Sequence, residues 1–363
     1  MAGSTVPNED PSLLPAPSST RWGRRAALLL LGLLAVLLVL ALFTGLIAHL
    51  GGQHPAAPCR FSPGCPGTPE MMGISMVSSR DGWAVGRTVG GDPTRSEGVI
   101  AHYQNGHWML ETPPAYTLTL NSVAMLSASD GWIVGDGGTI LHYTGGHWVS
   151  VASPTHDPLS GVYMLSATDG WAVSRGGAIL HYNGAGWAIV TTGAPLRSLW
   201  SLTMVSPGEG WAVGLNVIVH YHQGIWTTLH LAGLPGFPSV TDLRSVAMLS
   251  ASEGWAVGVG PGGAVLILHY QNGQWSLDTS APKVTGLLSA VAMASPDEGW
   301  ALGTGPGGAG SSLIVHYTRA GGWARVNTTL HVDFTALSLL SPTAGWAVGD
   351  GVDFVQYAAG TWG

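Results

Sequence analysis

Six histidines recur along the chain, each followed by tyrosine: His102, His142, His181, His220, His269 and His316. Six acids recur as well, each just before a Gly-Trp pair: Asp81, Asp130, Asp169, Glu209, Glu253 and Glu298. Imidazoles and carboxylates are the groups of metal binding and of general acid–base chemistry. Their spacing argues against both. Each of six repeats of about 40–50 residues holds one such histidine and one such acid. Histidines on separate repeats stand too far apart to share an ion whose ligand bonds are about 2 Å. The spacing therefore predicts packing or a repeated hydrogen bond for the histidines, turn positions for the acids, and neither metal nor catalytic residues. No nucleophile elbow, phosphate loop or HExxH stretch occurs. The GPGG segments lack the helix a phosphate loop needs.

Two cysteines, Cys59 and Cys65, lie in the stretch CRFSPGC. Three readings stand. Outside a membrane a disulfide is permitted, and Pro-Gly favours the turn a small loop requires. Two free thiols are the second reading. A metal site is the third, although it would want more ligands nearby.

The elements that carry these residues follow from the repetition. Residues 127–148 read SASDGWIVGDGGTILHYTGGHW, and related copies stand at 78–108, 166–187, 206–226, 250–275, 295–323 and 341–362. Each unit has four short β-branched or aromatic runs bounded by turn residues: an LNSVAML type, a GWAVG type, an ILHY type, and one starting at a second tryptophan. The period suits a four-stranded propeller blade, not a solenoid coil. Seven such units predict an all-β, seven-bladed β-propeller over residues 68–363. Asp130-Gly131, Asp169-Gly170, Gly145-Gly146 and Asn183-Gly184 read as tight turns with positive φ. The first tryptophans of the units, Trp83, Trp132, Trp171, Trp211, Trp255, Trp300 and Trp346, read as wedges between blades. The first run should be innermost, because its third position is always small: Gly73, Ser122, Gly161, Ser201, Ser245, Ala290 and Ala336. The last unit stops at Gly363, so residues near 59–67 are expected beside blade seven or at its edge.

In a propeller the turns after the first and third strands share one face, and all other links share the opposite one. The first set is short and uniform here. The second is long and irregular, as at 87–98, 228–242 and 303–312. Function concentrates on variable loops held by a rigid scaffold, so the long-loop face is the expected working face. The second position of the inner run varies there: Met72, Asn121, Ser160, Trp200, Arg244, Ser289 and Thr335. These residues should ring the entrance of the central channel. Trp200 and Arg244 fall in adjacent blades, and an aromatic beside an arginine suits a binding hot spot. Trp200, Arg244 and Asn121 are thus the candidate binding residues. The competing reading is that Trp200 merely plugs the channel.

The N-terminal part differs in kind. Residues 26–50, AALLLLGLLAVLLVLALFTGLIAHL, hold no acid, lysine or arginine, and about 20 apolar residues span a bilayer core. Arg21, Arg24 and Arg25 precede this run and no basic residue follows until Arg60. The positive-inside rule places residues 1–25 in the cytoplasm as a short disordered tail and the propeller outside. The apolar run is longer than a signal peptide's and lacks a clean cleavage site. Residues 1–25 are thus read as tail, 26–50 as transmembrane anchor and 51–67 as linker. The chain is a single-pass cell-membrane protein on this reading. Of its 20 acidic residues all but Glu9 and Asp10 follow residue 50, against all but three of its 13 basic ones. An acidic ectodomain excludes the basic footprint of nucleic-acid binding. Asn327-Thr328-Thr329 matches a glycosylation sequon, meaningful only in a eukaryotic secretory pathway.

With its GWIVGDGGTILHYTGGHW unit, the chain resembles the photosystem II assembly and stability factor propellers and the wider BNR (Asp-box) repeat group. The resemblance covers about residues 68–363 and implies the propeller fold with an assembly or scaffold role. Two departures stand beside it. HYTGGHW is shorter than those families' last hairpin and lacks its Asp, and the Arg-rich patch expected in the photosystem group has no counterpart here. Sialidases share the repeat, but no FRIP-like segment or Tyr–Glu pair can be placed. The expectation is therefore a non-catalytic interaction or assembly scaffold without cofactor, bound to a membrane or envelope protein. The alternatives are recognition of envelope polysaccharide through Trp200 and, less favoured, a degenerate sialidase-like glycosidase.

Overall fold

The computed structural model describes residues 68–89, 97–190, 196, 198–232, 236–351 and 353–363. The tail, the anchor and the linker with Cys59 and Cys65 lie outside the described residues, as does the segment 59–67 expected at blade seven. Among the described residues no helix is long and apolar enough to cross a membrane.

Seven antiparallel sheets follow one another along the chain, each of four strands consecutive in sequence. In blade one these are Thr68–Ser78, Asp81–Val89, Gly98–Gln104 and His107–Glu111. The first strands pack neighbour to neighbour around the ring, and that of blade seven, Phe334–Ser341, meets that of blade one. This is a seven-bladed β-propeller. The second strands are apolar at consecutive positions because neighbouring sheets cover both of their faces; in Asp130–Gly135 every residue after the acid is buried. The fourth strands alternate, as in His147–Ser150, where Trp148 points inward.

The seven first tryptophans are between 0 and 8 % exposed. Each fills the gap to the next blade. Trp83 packs with Leu120, Val123 and Trp148 of blade two, and Trp346 with Met71, Ile74 and Tyr103 of blade one. Burying an indole removes roughly 200 Å² from water, worth up to about 5 kcal/mol. The last strand is Thr361–Trp362 alone, paired with Tyr357 and Ala358. The ring closes without sharing a strand among the described residues. Met76 N–H donates to Ser338 Oγ over 3.1 Å, Thr335 Oγ1 donates to the Met71 carbonyl over 2.6 Å, and Trp108 meets Trp346 edge-on.

One expectation needs correction. Gly131 and Gly170 do not adopt positive φ, whereas Gly145, Gly146 and Gly184 do. Gly131 is a strand residue, and a Cβ there would run into the sulfur of Met125. Gly82, Gly170, Gly210, Gly254 and Gly299 stand under methionines in the same way. The glycine before the first tryptophan of each blade thus stands under a side chain of the paired strand, a methionine in blades one to six and Leu339 over Gly345 in blade seven.

Small size at the third position of the inner strands is also only part of its logic. Ser122, Ser201 and Ser245 accept the N–H of Val162, Val246 and Val291 in the next blade, at 3.2–3.4 Å. They join blades where backbone cannot pair across the seam.

Candidate functional site: the axial mouth

The first and second strands of every blade pair with a register shift that skips one inner residue. The skipped residues are Met72, Asn121, Ser160, Trp200, Arg244, Ser289 and Thr335. A β-bulge frees a side chain from the ladder and re-aims it. All seven line one cavity of about 200 Å³ on the propeller axis.

Three of these side chains stitch the ring. Asn121 Nδ2 donates to the Leu159 carbonyl, Ser160 Oγ to that of Leu199, and Thr335 Oγ1 to that of Met71, at 2.6–2.8 Å. Each carbonyl belongs to the following blade. Trp200 and Arg244 do something else. The Arg244 guanidinium carbon sits 4.3 Å from the Trp200 ring centroid. That of Arg175, from the loop after the second strand of blade three, sits 5.6 Å from the same ring. Both cations lie within the about 6 Å reach of a cation–π contact, which is worth most where water is partly excluded. Trp200 is half-buried; its indole N–H has no partner, a property it shares with most of the repeat tryptophans.

Acids balance the cations. Asp242 Oδ2 accepts from Arg244 at 2.6 Å, and Asp136 faces Arg175 at 3.7 Å. Asn121 is 7 % exposed. It donates to Asp136 Oδ1 at 2.8 Å and accepts from Arg175 at 3.1 Å while holding Leu159. Both of its donors are used and its carbonyl oxygen already accepts from Arg175, so it orients Arg175 and has no N–H left to offer outward. The structure thus brings Trp200, Arg244 and Asn121 to one mouth and adds Arg175 and Asp136. A signal for Arg175 exists: blade three reads WAVSRGG where blade two reads WIVGDGG.

The recurrent histidines lie elsewhere, stacked flat on the first tryptophans of their own blades, as His142 on Trp132 at 4.2 Å and 12°. Nε2 faces the acid that opens the second strand, at 2.8 Å for Asp81–His102 and 2.9 Å for Asp130–His142 and Asp169–His181. His269 and Glu253 are further apart, at 3.8 Å. Blade seven carries Ala344 and Gln356 at the two positions, so acid and histidine disappear together.

No protein-family model and no curated protein matches the chain. Solved structures do. A structure of YCF48 bound to D1 peptide aligns with a TM-score of 0.61 at 20 % identity, covering 81 % of this chain and 95 % of the other. YCF48 from Cyanidioschyzon merolae gives 0.60 at 15 %, covering 82 % and 98 %. The GH74 xyloglucanase from Xanthomonas campestris gives 0.58 at 12 %, covering 80 % of this chain and 52 % of the enzyme. At these identities the likeness shows the fold alone. One fold hosts assembly factors and glycosidases alike, so function has to be argued from the site.

Proposed function

We propose that this chain is a membrane-anchored, extracytoplasmic and non-catalytic propeller, which binds a protein partner of the membrane or cell envelope at its axial mouth as an assembly scaffold. One observation carries the reading. At the bulge position, where Asn121, Ser160 and Thr335 tie blades together, Trp200 and Arg244 form a cation–aromatic cluster completed by Arg175. Ring stability does not ask for that cluster, whereas aromatic and arginine anchors are what protein interfaces use. A YCF48 structure carries a D1 peptide, which supports a peptide segment of a larger protein as the ligand class. Against catalysis stand the acids of the mouth, Asp136 and Asp242, each engaged by an arginine. The apolar run 26–50 supports the anchor. No cofactor enters this reading.

The test is in-membrane crosslinking with the tagged full chain, wild type beside Trp200→Ala/Arg244→Ala. One partner captured by wild type and lost in the double variant upholds the mouth as the binding site. Equal capture by both places the interface elsewhere. Capture of polysaccharide in place of protein supports the glycan alternative. Extraction decides the anchor: the full chain should need detergent, and removal of residues 1–50 should release it.

A further inference from the structure

Blade four departs from the acid–histidine pattern by one residue. Its third strand, Val217–His222, ends in a second histidine two places after His220. Residues two apart on a strand share a face. The antiparallel register sets His222 directly opposite Glu209 and His220 opposite Trp211. The Glu209 carboxylate therefore has an imidazole on each oxygen. His220 Nε2 lies 2.6 Å from Oε1, and His222 Nδ1 lies 2.6 Å from Oε2. All three ligand atoms fall within 4.8 Å of one another. The other blades hold Gln104, Thr144, Asn183, Gln271, Thr318 and Ala358 where this one holds His222. The blade consequently does not need an imidazole there to fold.

We propose that Glu209, His220 and His222 form a binding site for a borderline divalent metal ion of the zinc class. Two imidazoles and one carboxylate are a recurrent donor set for zinc, with further positions left for water or an outside donor. Imidazole nitrogen selects Zn²⁺, Ni²⁺ or Cu²⁺ over Ca²⁺ and Mg²⁺, which want oxygen. Part of the site is rigid in advance. His220 is stacked on the fully buried Trp211, with centroids 4.5 Å apart at 13°. The Glu209 side chain is 13 % exposed, and the backbone ladder fixes where both start. The movable part is His222, whose side chain is 64 % exposed. Donor atoms bonded to one tetrahedral zinc at about 2.0–2.2 Å stand roughly 3.3 Å apart, so the 2.6 Å nitrogen–oxygen contacts must open as the metal takes the place of the shared protons, and the carboxylate can turn and the exposed His222 ring swing to do so. Sequence spacing across repeats excludes an ion shared between blades; this arrangement is internal to one blade. It lies at the end of the sheet carrying the short turns, opposite the axial mouth, so its fate is independent of the partner-binding reading.

Calorimetric titration of the full chain in detergent, after chelator treatment, tests the site with Zn²⁺ and with Ca²⁺ as control. His222→Gln reproduces what blades one and five carry and should leave the fold intact. His142→Gln removes a histidine with no such neighbour. The expected result is one saturable Zn²⁺ per chain and no Ca²⁺. His222→Gln should weaken zinc at least about 10-fold, while His142→Gln leaves it unchanged. Absence of saturable zinc overturns the site. So does an isotherm that His222→Gln does not alter, or that His142→Gln weakens as much.

Discussion

The imidazole of His102 lies against the indole of Trp83, with ring centroids 3.9 Å apart and planes 17° from parallel. Among the stacked pairs this one is held most fully. Asp81 meets Nε2 at 2.8 Å and Glu111 meets Nδ1 at 2.9 Å. The side chain is 7 % exposed, against 27 % for His142, which has a single acid. His102→Ala removes the packed ring and leaves two carboxylates without a partner. It should cost about 2–4 kcal/mol, and His142→Ala about 1 kcal/mol. Thermal melts of the two variants side by side check this. Equal losses would mean that Glu111 and the deeper burial of His102 contribute nothing.

Acid and histidine act as one unit, because blade seven lacks both. Copying blade seven into blade three, as Asp169→Ala with His181→Gln, makes that a measurement. Each single change leaves half a pair behind, a carboxylate without its donor or an imidazole without its acceptor. The double variant should lose less than the sum of the singles, by about 0.5–1.5 kcal/mol. Strict additivity would show that the 2.9 Å pair adds no stability of its own.

The Gly-Trp glycines make a steric prediction. Gly131→Ala sets a methyl into the thioether end of the half-buried Met125 side chain, and because that end is flexible the cost should be about 1 kcal/mol, the low end of overpacking. Shortening the partner ought to relieve it. Gly131→Ala/Met125→Ala should be less damaged than the two single costs together imply. If alanine is tolerated at 131 with Met125 intact, the glycine serves some purpose other than clearance.

Why these glycines read as turn formers in the sequence is instructive. Asp-Gly between two β runs is the ordinary signature of a two-residue hairpin. Here the turn comes earlier, at Ala128 and Ser129, and Asp130 already belongs to the second strand. The true determinant is a methionine on the paired strand, visible only once register is known. Strand number, blade period and tryptophan wedges were legible because every blade repeats them, and a repeated choice stands out from noise. The varying second inner position was legible for the opposite reason. A bulge removes that residue from the ladder, so its type follows the separate task each blade gives it, a stitch at Asn121, Ser160 and Thr335 and the cation–aromatic cluster at Trp200 and Arg244. The bulge itself left no trace, since glycine and proline do not mark it. Arg175 and His222 were harder still. Each is one departure in one blade, meaningful only because the backbone carries it to Trp200 or to Glu209.

The loop after the second strand of blade seven gives the chain a pH dependence. Asp350 is exposed as a residue, but loss of water around its carboxyl is the main reason its pKa lies above the ordinary 3.8. The charges of Glu70 and Asp333 push it the same way, and Arg87 opposes them. Arg87 is itself held by Glu70 at 2.6 Å, which weakens that opposition. A carboxyl whose pKa rises on folding binds its proton more tightly in the folded state. Its contribution is fully favourable below pH 3.8 and is lost as the pH climbs through the raised value. At neutral pH the ionised group therefore weighs against folding. Asp350→Asn keeps the shape without the charge. The variant should melt higher than wild type at pH 7, with the difference shrinking toward zero near about pH 3. Paired melts across that range decide the matter. A gain independent of pH would point to a better hydrogen bond from the amide, and a loss at pH 7 would mean that Arg87 pairs with Asp350 more strongly than Glu70 and Asp333 repel it.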